Sequence, residues 1–270
     1  MDSIENKIIS ALRVSYYYLP SHLKQCFVYC SLFPEDYVFD KETLIFMWMA
    51  EGFLQPSKRG MTLEEVGYEY FDDLTSRSFF QPSSEREGYF VMHDLIHQLA
   101  TSIAGDLYFR LEKKGKEIGN RTRHLSWNFP ACPCLDHLES LKQVKALRTF
   151  ICLEFSLIPH FVGDASEFLS SNLKYLRVLS LRNVPTLKKI TDIIGEFIHL
   201  RYLDLSRIEI TSVPSLILCK LYNLPYLDLS RTEIVSLPNS LCKLYNLQTL
   251  KLASCHSLKM LPSDMQDLVN

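Results

Sequence analysis

The chain has 270 residues, 47% of them hydrophobic and 22% charged, and this composition excludes a largely disordered or fibrous protein. No apolar run approaches the roughly 18–20 residues that cross a bilayer, and residues 1–7 lack the basic start of a signal peptide. We therefore expect no membrane span and a cytoplasmic location. The eight cysteines indicate reduced, mostly buried thiols.

The charge is distributed unevenly along the chain. Residues 1–104 carry 8 basic and 15 acidic side chains, whereas residues 105–270 carry 21 and 16, so the net charges are −7 and +5. The length also allows two domains. We place these at 1–104 and 121–270, joined by a linker at 105–120 whose Lys113–Asn120 stretch is charged and contains glycine.

The first domain begins with four predicted helices. Leu12 lies on the apolar face of the first, and Pro20 precedes the second. Asp40 and Gly52 have the residue types that begin and end a third helix. The capping-box sequence Thr62–Glu65 begins a fourth, whose inward face is predicted to carry Leu63, Val66, Tyr70 and Leu74.

A hairpin and a last helix follow these four helices. Ser78–Gln81 and Tyr89–Met92 have the pattern of short strands, and Asp94 opens the final helix. Helices combined with a hairpin predict a winged helix, a fold that often binds DNA. The net charge of −7 opposes contact with phosphates, so we expect no DNA partner.

The second domain contains an internal repeat. Leu200–Arg207 recurs as Leu224–Arg231 and Leu247–Ser254, with starts 24 and 23 residues apart, and further copies begin at Leu176, Leu147 and, more weakly, Thr122. The Leu-x-x-Leu-x-Leu pattern resembles leucine-rich repeats. We therefore expect an α+β multidomain protein in which about six repeats form a solenoid of short parallel strands. No C-terminal cap follows, which indicates a truncated array.

Alternation along each repeat strand predicts one inward and one outward face. We expect Tyr202 and Tyr226 to stack outward, beside the acidic row of Asp204 and Asp228 and the basic Lys251. Exposed aromatic residues are favoured at protein interfaces, so these five residues are the predicted partner-binding surface. The alternative is that they only repeat a packing consensus.

Three blocks in the first domain resemble a known family. Cys26–Asp36, Trp48–Leu54 and Met92–Asp94 look like the last subdomain of the NB-ARC nucleotide switch in plant disease-resistance proteins, and the leucine-rich repeats behind them are similar to the coiled-coil class of these receptors. The resemblance implies that His93, in the motif with Met92 and Asp94, contacts the β-phosphate of ADP. It also implies that the repeats hold the switch off and sense a pathogen effector or a guarded host protein.

The residues around His93 fit such a role. His93 follows an apolar strand and precedes a predicted helix start, where free N–H groups favour an anion. Asp94 would itself occupy those donors as a cap, so we expect it to fix the turn that orients His93. None of the nine glycines forms a P-loop, so we expect ADP or ATP binding only in a full-length context and no tight binding by this chain.

Two other functional classes remain as alternatives. His93 and His97 have the spacing of zinc ligands on a helix, but His93 is expected to lie before the helix, so the geometry of a zinc hydrolase should fail. We expect no enzymatic activity. The main alternative to a receptor is a stand-alone repeat scaffold that binds proteins without a nucleotide. Opposite net charges also favour an intramolecular contact between the repeats and the winged helix.

Overall fold

A computed structural model describes residues 2–56, 60–112, 118–128, 144–154, 173–184 and 194–267. The chain forms two compact units, Met1–Arg110 and Leu111–Asn270. Their boundary lies within the predicted linker at 105–120. This segment is not all loop, because Gly105–Leu107 form a 3-10 turn and Tyr108–Leu111 form a strand. Residues 113–117 of the predicted linker lie outside the described part.

The first unit contains the predicted helices: α1 (Asp2–Tyr17), α2 (Ser21–Tyr29), α3 (Lys41–Glu51), α4 (Leu63–Ser76) and α5 (Asp94–Ala104). A 3-10 turn extends α2. Leu23 and Phe27 of α2 and Cys30 of the 3-10 turn are fully buried and form part of the apolar core of the first unit.

Local sequence explains where α3 and α4 begin and end. The Asp40 side chain accepts a 2.8 Å hydrogen bond from the Thr43 N–H, and Gly52 ends α3 in the left-handed conformation with φ 78°. At α4, the Thr62 hydroxyl accepts from Glu65 N–H, and the Glu65 carboxylate accepts from Thr62 N–H. The predicted caps are confirmed, and each satisfies a backbone group that the helix leaves unpaired.

The inward face of α4 differs from the prediction at one position. Val66, Tyr70 and Leu74 are buried, but Leu63 is 39% exposed. Leu63 is the first residue of the helix, and contact with the core begins one turn later. Gly67 lies where α4 crosses α3, since a Cβ added there would meet the side chains of Ile45 and Leu54.

A small antiparallel sheet completes the first unit. Its strands are β1 (Phe39–Asp40), β2 (Gln81–Pro82) and β3 (Tyr89–Val91), in the order β1-β3-β2. The predicted hairpin is thus confirmed, although β2 starts only at the end of the predicted run. Strand β1 was not predicted, because two residues show no alternation. Aromatic rings pack between sheet and helices: Phe80 contacts both Phe39 and Phe71, and Phe71 also contacts Phe90.

The second unit is built on a parallel sheet. Strand β4 (Tyr108–Leu111), in which the boundary between the units falls, lies at one edge, and the order continues through six strands to the other edge. These are β5 (His124–Asn128), β6 (Thr149–Glu154), β7 (Val178–Ser180), β8 (Tyr202–Asp204), β9 (Tyr226–Asp228) and β10 (Thr249–Lys251).

Each of the six repeat copies therefore contributes one strand. The pairing is in register from repeat to repeat, with Leu179 opposite Leu203 and Leu203 opposite Leu227. All three leucines are buried, so neighbouring repeats share one apolar column, as a solenoid requires. A four-residue helix, α6 (Ser215–Leu218), lies on the return path between β8 and β9.

The cysteines are less uniformly buried than the sequence indicates. Of the six that the structure describes, Cys26, Cys30 and Cys152 are buried, whereas Cys219 is exposed. Cys219 follows the buried Leu218 at the end of α6, so it faces away from the apolar column. All six are free thiols. Among the described residues, none of the helices has the length and apolarity to cross a membrane.

Candidate functional site

His93 is the N-cap of α5. The chain leaves β3 through Met92, which is buried, and the exposed His93 takes an extended conformation (φ −61°, ψ 142°) before the first helical residue. Its Nδ1 accepts a hydrogen bond of 3.3 Å from the Leu95 N–H. Because Nδ1 is the acceptor, the neutral ring carries its proton on Nε2. An exposed imidazole N–H donor thus stands at the helix N-terminus.

The capping role predicted for Asp94 is wrong. Asp94 is the first residue of α5 and is exposed, and the side chain that caps the helix is that of His93. The imidazole nitrogen reaches the Leu95 N–H two residues on, so the carboxylate is not needed there. Asp94 still contributes a negative charge in the first turn, which the helix dipole favours.

His97 is held inside the first unit. It is 2% exposed, and its Nε2 lies 2.8 Å from the carbonyl oxygen of Phe33 and 3.0 Å from Nη1 of Arg110. The same Nη1 donates to the carbonyl oxygens of Phe33 and Ser31, both at 2.8 Å. This polar cluster ties α5 to the turn after α2. The structure does not bring His93 and His97 together, since one is exposed and the other is in the core.

The predicted outward surface of Tyr202 and Tyr226 is not exposed. The two rings do stack, with centroids 4.4 Å apart, but Tyr202 is 0% and Tyr226 is 1% exposed. Neighbouring strands of a sheet lie only about 4.8 Å apart, so each ring in the row covers the face of the next. The side chain of Lys251 lies over the Tyr226 ring, with Nζ 5.6 Å from the ring centre. Burial raises the pKa of Tyr202 well above its ordinary value.

The two aspartates of this predicted surface support backbone turns. Asp204 accepts from the N–H of Ser206 at 2.9 Å, and Asp228 accepts from the N–H of Ser230 at 2.8 Å. In both repeats the next residue, Arg207 or Arg231, has φ 59°. Asp204 is buried, and burial followed by the nearby Asp228 charge raises its pKa. Asp228 and Lys251 are half-buried.

Other tyrosines of the repeats are exposed instead. Tyr222 is 49% and Tyr245 is 72% exposed, and the two occupy equivalent positions just before β9 and β10. The amide of Asn246 donates to the carbonyl oxygen of Tyr222 at 2.8 Å, which links the two loops. The recurrence of Leu-Tyr-Asn-Leu at these positions in the sequence was the signal that could have identified them.

Two family models match this chain. Residues 32–100 match the winged helix domain of disease resistance proteins, and residues 155–270 match a leucine-rich repeat region. Among solved structures, a leucine-rich-repeat protein of Leptospira interrogans aligns with 55% of this chain and 35% of its own, at 20% identity and a TM-score of 0.42.

Curated relatives match most of the chain. The RPP13-like disease resistance protein 1 of Arabidopsis thaliana is 40% identical over 214 residues, which are 78% of this chain and 20% of that protein. Disease resistance protein RGA2 of Solanum bulbocastanum is 41% identical over 169 residues, or 59% of this chain and 17% of that protein. The chain thus spans a fifth or less of the length of these relatives. It belongs to the plant disease-resistance proteins, with their winged-helix domain followed by leucine-rich repeats.

Proposed function

We propose that this chain is a non-enzymatic part of a cytoplasmic plant immune receptor that acts in defence against pathogens. In this proposal the winged helix contributes His93 to the β-phosphate of ADP when a nucleotide-binding portion is also present. The observation that carries the proposal is the position of His93. It is exposed at the N-terminus of α5 and offers the Nε2–H donor, while Nδ1 serves the helix cap.

The surroundings of His93 support a contact with phosphate. Met92, which precedes it, is buried, and Asp94, which follows it, begins the helix, so His93 lies between a core residue and a helix start. The N-terminal end of a helix favours anions. The chain contains no P-loop lysine and backbone nest, so His93 would supply one contact among several, and this chain alone would not bind ADP or ATP tightly.

The repeats are proposed to recognise protein, either a pathogen effector or a guarded host protein. Support comes from the exposed side chains at equivalent repeat positions, Tyr222 and Tyr245, since exposed tyrosines are frequent at interfaces. They replace Tyr202 and Tyr226 as the candidate contacts. The opposite net charges of residues 1–104 and 105–270 also favour a salt-sensitive contact between the repeats and the winged helix.

The test uses a full-length relative. In the RPP13-like protein 1 of Arabidopsis, the matching segment is replaced by residues 32–100 of this chain, and the ADP retained after purification is measured. His93→Asn is the decisive variant, because asparagine is a good N-cap but lacks the imidazole. We expect His93→Asn to release ADP at least tenfold faster than the unaltered chimera. Asp94→Asn, which changes the neighbouring charge only, is the control.

Two results would contradict the proposal in different ways. Unchanged ADP release from the His93→Asn chimera would show that His93 does not contact the phosphate, and would favour a repeat scaffold without a nucleotide role. Micromolar ADP binding by the 270-residue chain itself, abolished by His93→Asn, would show that no further nucleotide-binding portion is required.

A further inference from the structure

Four arginines occupy the same position in four consecutive repeats. Each immediately precedes a strand, from β5 to β8, and we call them the arginine ladder: Arg123, Arg148, Arg177 and Arg201. Their main chains are joined directly. The N–H of Arg148 donates to Arg123, that of Arg177 to Arg148 and that of Arg201 to Arg177, at 2.7, 2.7 and 2.8 Å.

These hydrogen bonds fix the spacing of the positive charges. Adjacent arginines are one strand apart, about 4.8 Å, so the ladder spans roughly 14 Å. It ends where Pro225 and Gln248 take the corresponding position before β9 and β10. The ladder is therefore a finite group of four cations and does not run along the whole array.

The ladder lines a groove of about 470 Å³ in the second unit. Tyr175 and His199 also line it, with ring planes 8° apart and centroids 6.2 Å apart. No Asp or Glu is found among the described residues that line the groove. This volume is in the range of small-molecule sites, and the lining combines guanidinium groups with two aromatic faces.

Three of the four arginines are partly covered by the surrounding structure. Arg123, Arg148 and Arg177 are half-buried, and Arg201 is exposed. Their field reaches the core of the same unit. The pKa of His124, the residue after Arg123, is lowered to about 3 by burial and then by the charges of Arg148, Arg123 and Arg177. The positive charge is thus concentrated enough to oppose a further cation.

We propose that the arginine ladder binds a compact polyphosphorylated small molecule. Guanidinium groups form bidentate hydrogen bonds with phosphate oxygens, and an oligophosphate can present about four negative charges within the groove. An acidic peptide fits less well. An extended peptide places side chains of one face about 7 Å apart, so it would offer only about three single charges over the ladder.

The probe is inorganic tripolyphosphate, titrated calorimetrically into the 270-residue chain in a magnesium-free buffer at fixed ionic strength. Arg148→Gln/Arg177→Gln removes the two central cations and is expected to weaken binding at least tenfold. Lys220→Gln/Lys243→Gln is the matched control, because it removes the same charge from two exposed positions of the same unit. The control is expected to change affinity less than twofold.

A single arginine variant and an acidic peptide provide two further tests of polyphosphate binding. If the double arginine variant does not fold, the exposed Arg201→Gln is used and is expected to weaken binding at least threefold. Hexa-aspartate is titrated in parallel, and we expect it to bind at least tenfold more weakly than tripolyphosphate. Equal losses in the arginine and lysine variants, or equal affinity for hexa-aspartate, would overturn the proposal, the second in favour of an acidic peptide.

Discussion

The rings of Tyr202 and Tyr226 stack with centroids 4.4 Å apart and planes only 5° apart. Both are buried, so the row that the repeat pattern directs outward is part of the packing of the second unit. Aromatic pairs stabilise a fold by about 0.5–1.5 kcal/mol beyond the area they bury. The stacked pair therefore holds adjacent repeats together.

We expect Tyr202→Ala to lower the free energy of unfolding by about 3–5 kcal/mol, because it removes a buried aromatic ring and leaves a cavity. Tyr202→Phe keeps the ring and should cost far less. Tyr222→Ala is the matched control, since Tyr222 is half exposed in the next repeat, and it should change stability by about 0.5 kcal/mol or less. Urea unfolding measures all three. If the Tyr202→Ala chain were as stable as the control, the Tyr202 side chain would have to be exposed, as the repeat pattern predicts.

The sequence predicted well wherever one local interaction decides the structure. The caps at Asp40 and Thr62 are such cases, and so is the period of the repeats, because every repeat needs an apolar residue in the shared column. Exposure was harder to predict. Whether Tyr202 faces solvent depends on what lies beside it in three dimensions, and alternation along a strand defines only a side of the sheet.

The site was predictable in type but not in detail. The position of His93 before a helix could be inferred from residue order, whereas its use as the cap could not, because Asp94 is the commoner capping residue. The arginine ladder shows the reverse situation. Three of its four arginines directly follow a leucine in the sequence, but only the parallel register brings the four side chains to one groove.

The close crossing of α3 and α4 provides a second prediction. We expect Gly67→Ala to destabilise the chain by about 1–3 kcal/mol, the range for overpacking, because the added methyl group would meet Ile45 and Leu54. Ile45→Ala removes most of the obstructing side chain. In urea unfolding, the double variant Ile45→Ala/Gly67→Ala should therefore cost less than the two single variants together. Strict additivity would show that the helices do not touch there.

Arg110 provides a third prediction. Its guanidinium donates to the carbonyl oxygens of Ser31 and Phe33, and hydrogen bonds from charged groups are worth about 1.5–3 kcal/mol each when lost. We expect Arg110→Ala to destabilise the chain by at least about 2 kcal/mol in chemical denaturation, and Arg110→Lys to recover part of this. The exposed Arg13 in α1 supplies the control Arg13→Ala, which should be nearly neutral. Equal effects of the two alanine variants would refute a bridging role.

The buried His124 predicts a specific pH dependence. Its pKa in the folded chain is about 3, below the ordinary 6.5, because of burial and the neighbouring arginine charges. As the pH falls below 6.5, the unfolded chain takes up a proton that the folded chain does not, so stability is full above pH 6.5 and is lost toward pH 3. The slope is about 1.4 kcal/mol per pH unit. We therefore expect this histidine alone to lower the free energy of unfolding by about 2 kcal/mol between pH 7 and pH 5.

The measurement is urea unfolding at pH 7, 6 and 5 for three chains. His124→Gln cannot titrate, so its stability should fall less with pH than that of the unaltered chain, by about 2 kcal/mol at pH 5. The exposed His256 lies in the same unit, and His256→Gln should retain the original pH dependence. If His124→Gln also retained the original pH dependence, His124 would have to take up its proton in the folded chain as readily as in the unfolded chain. Burial, the largest cause, and the neighbouring arginine charges would then not lower its pKa as described.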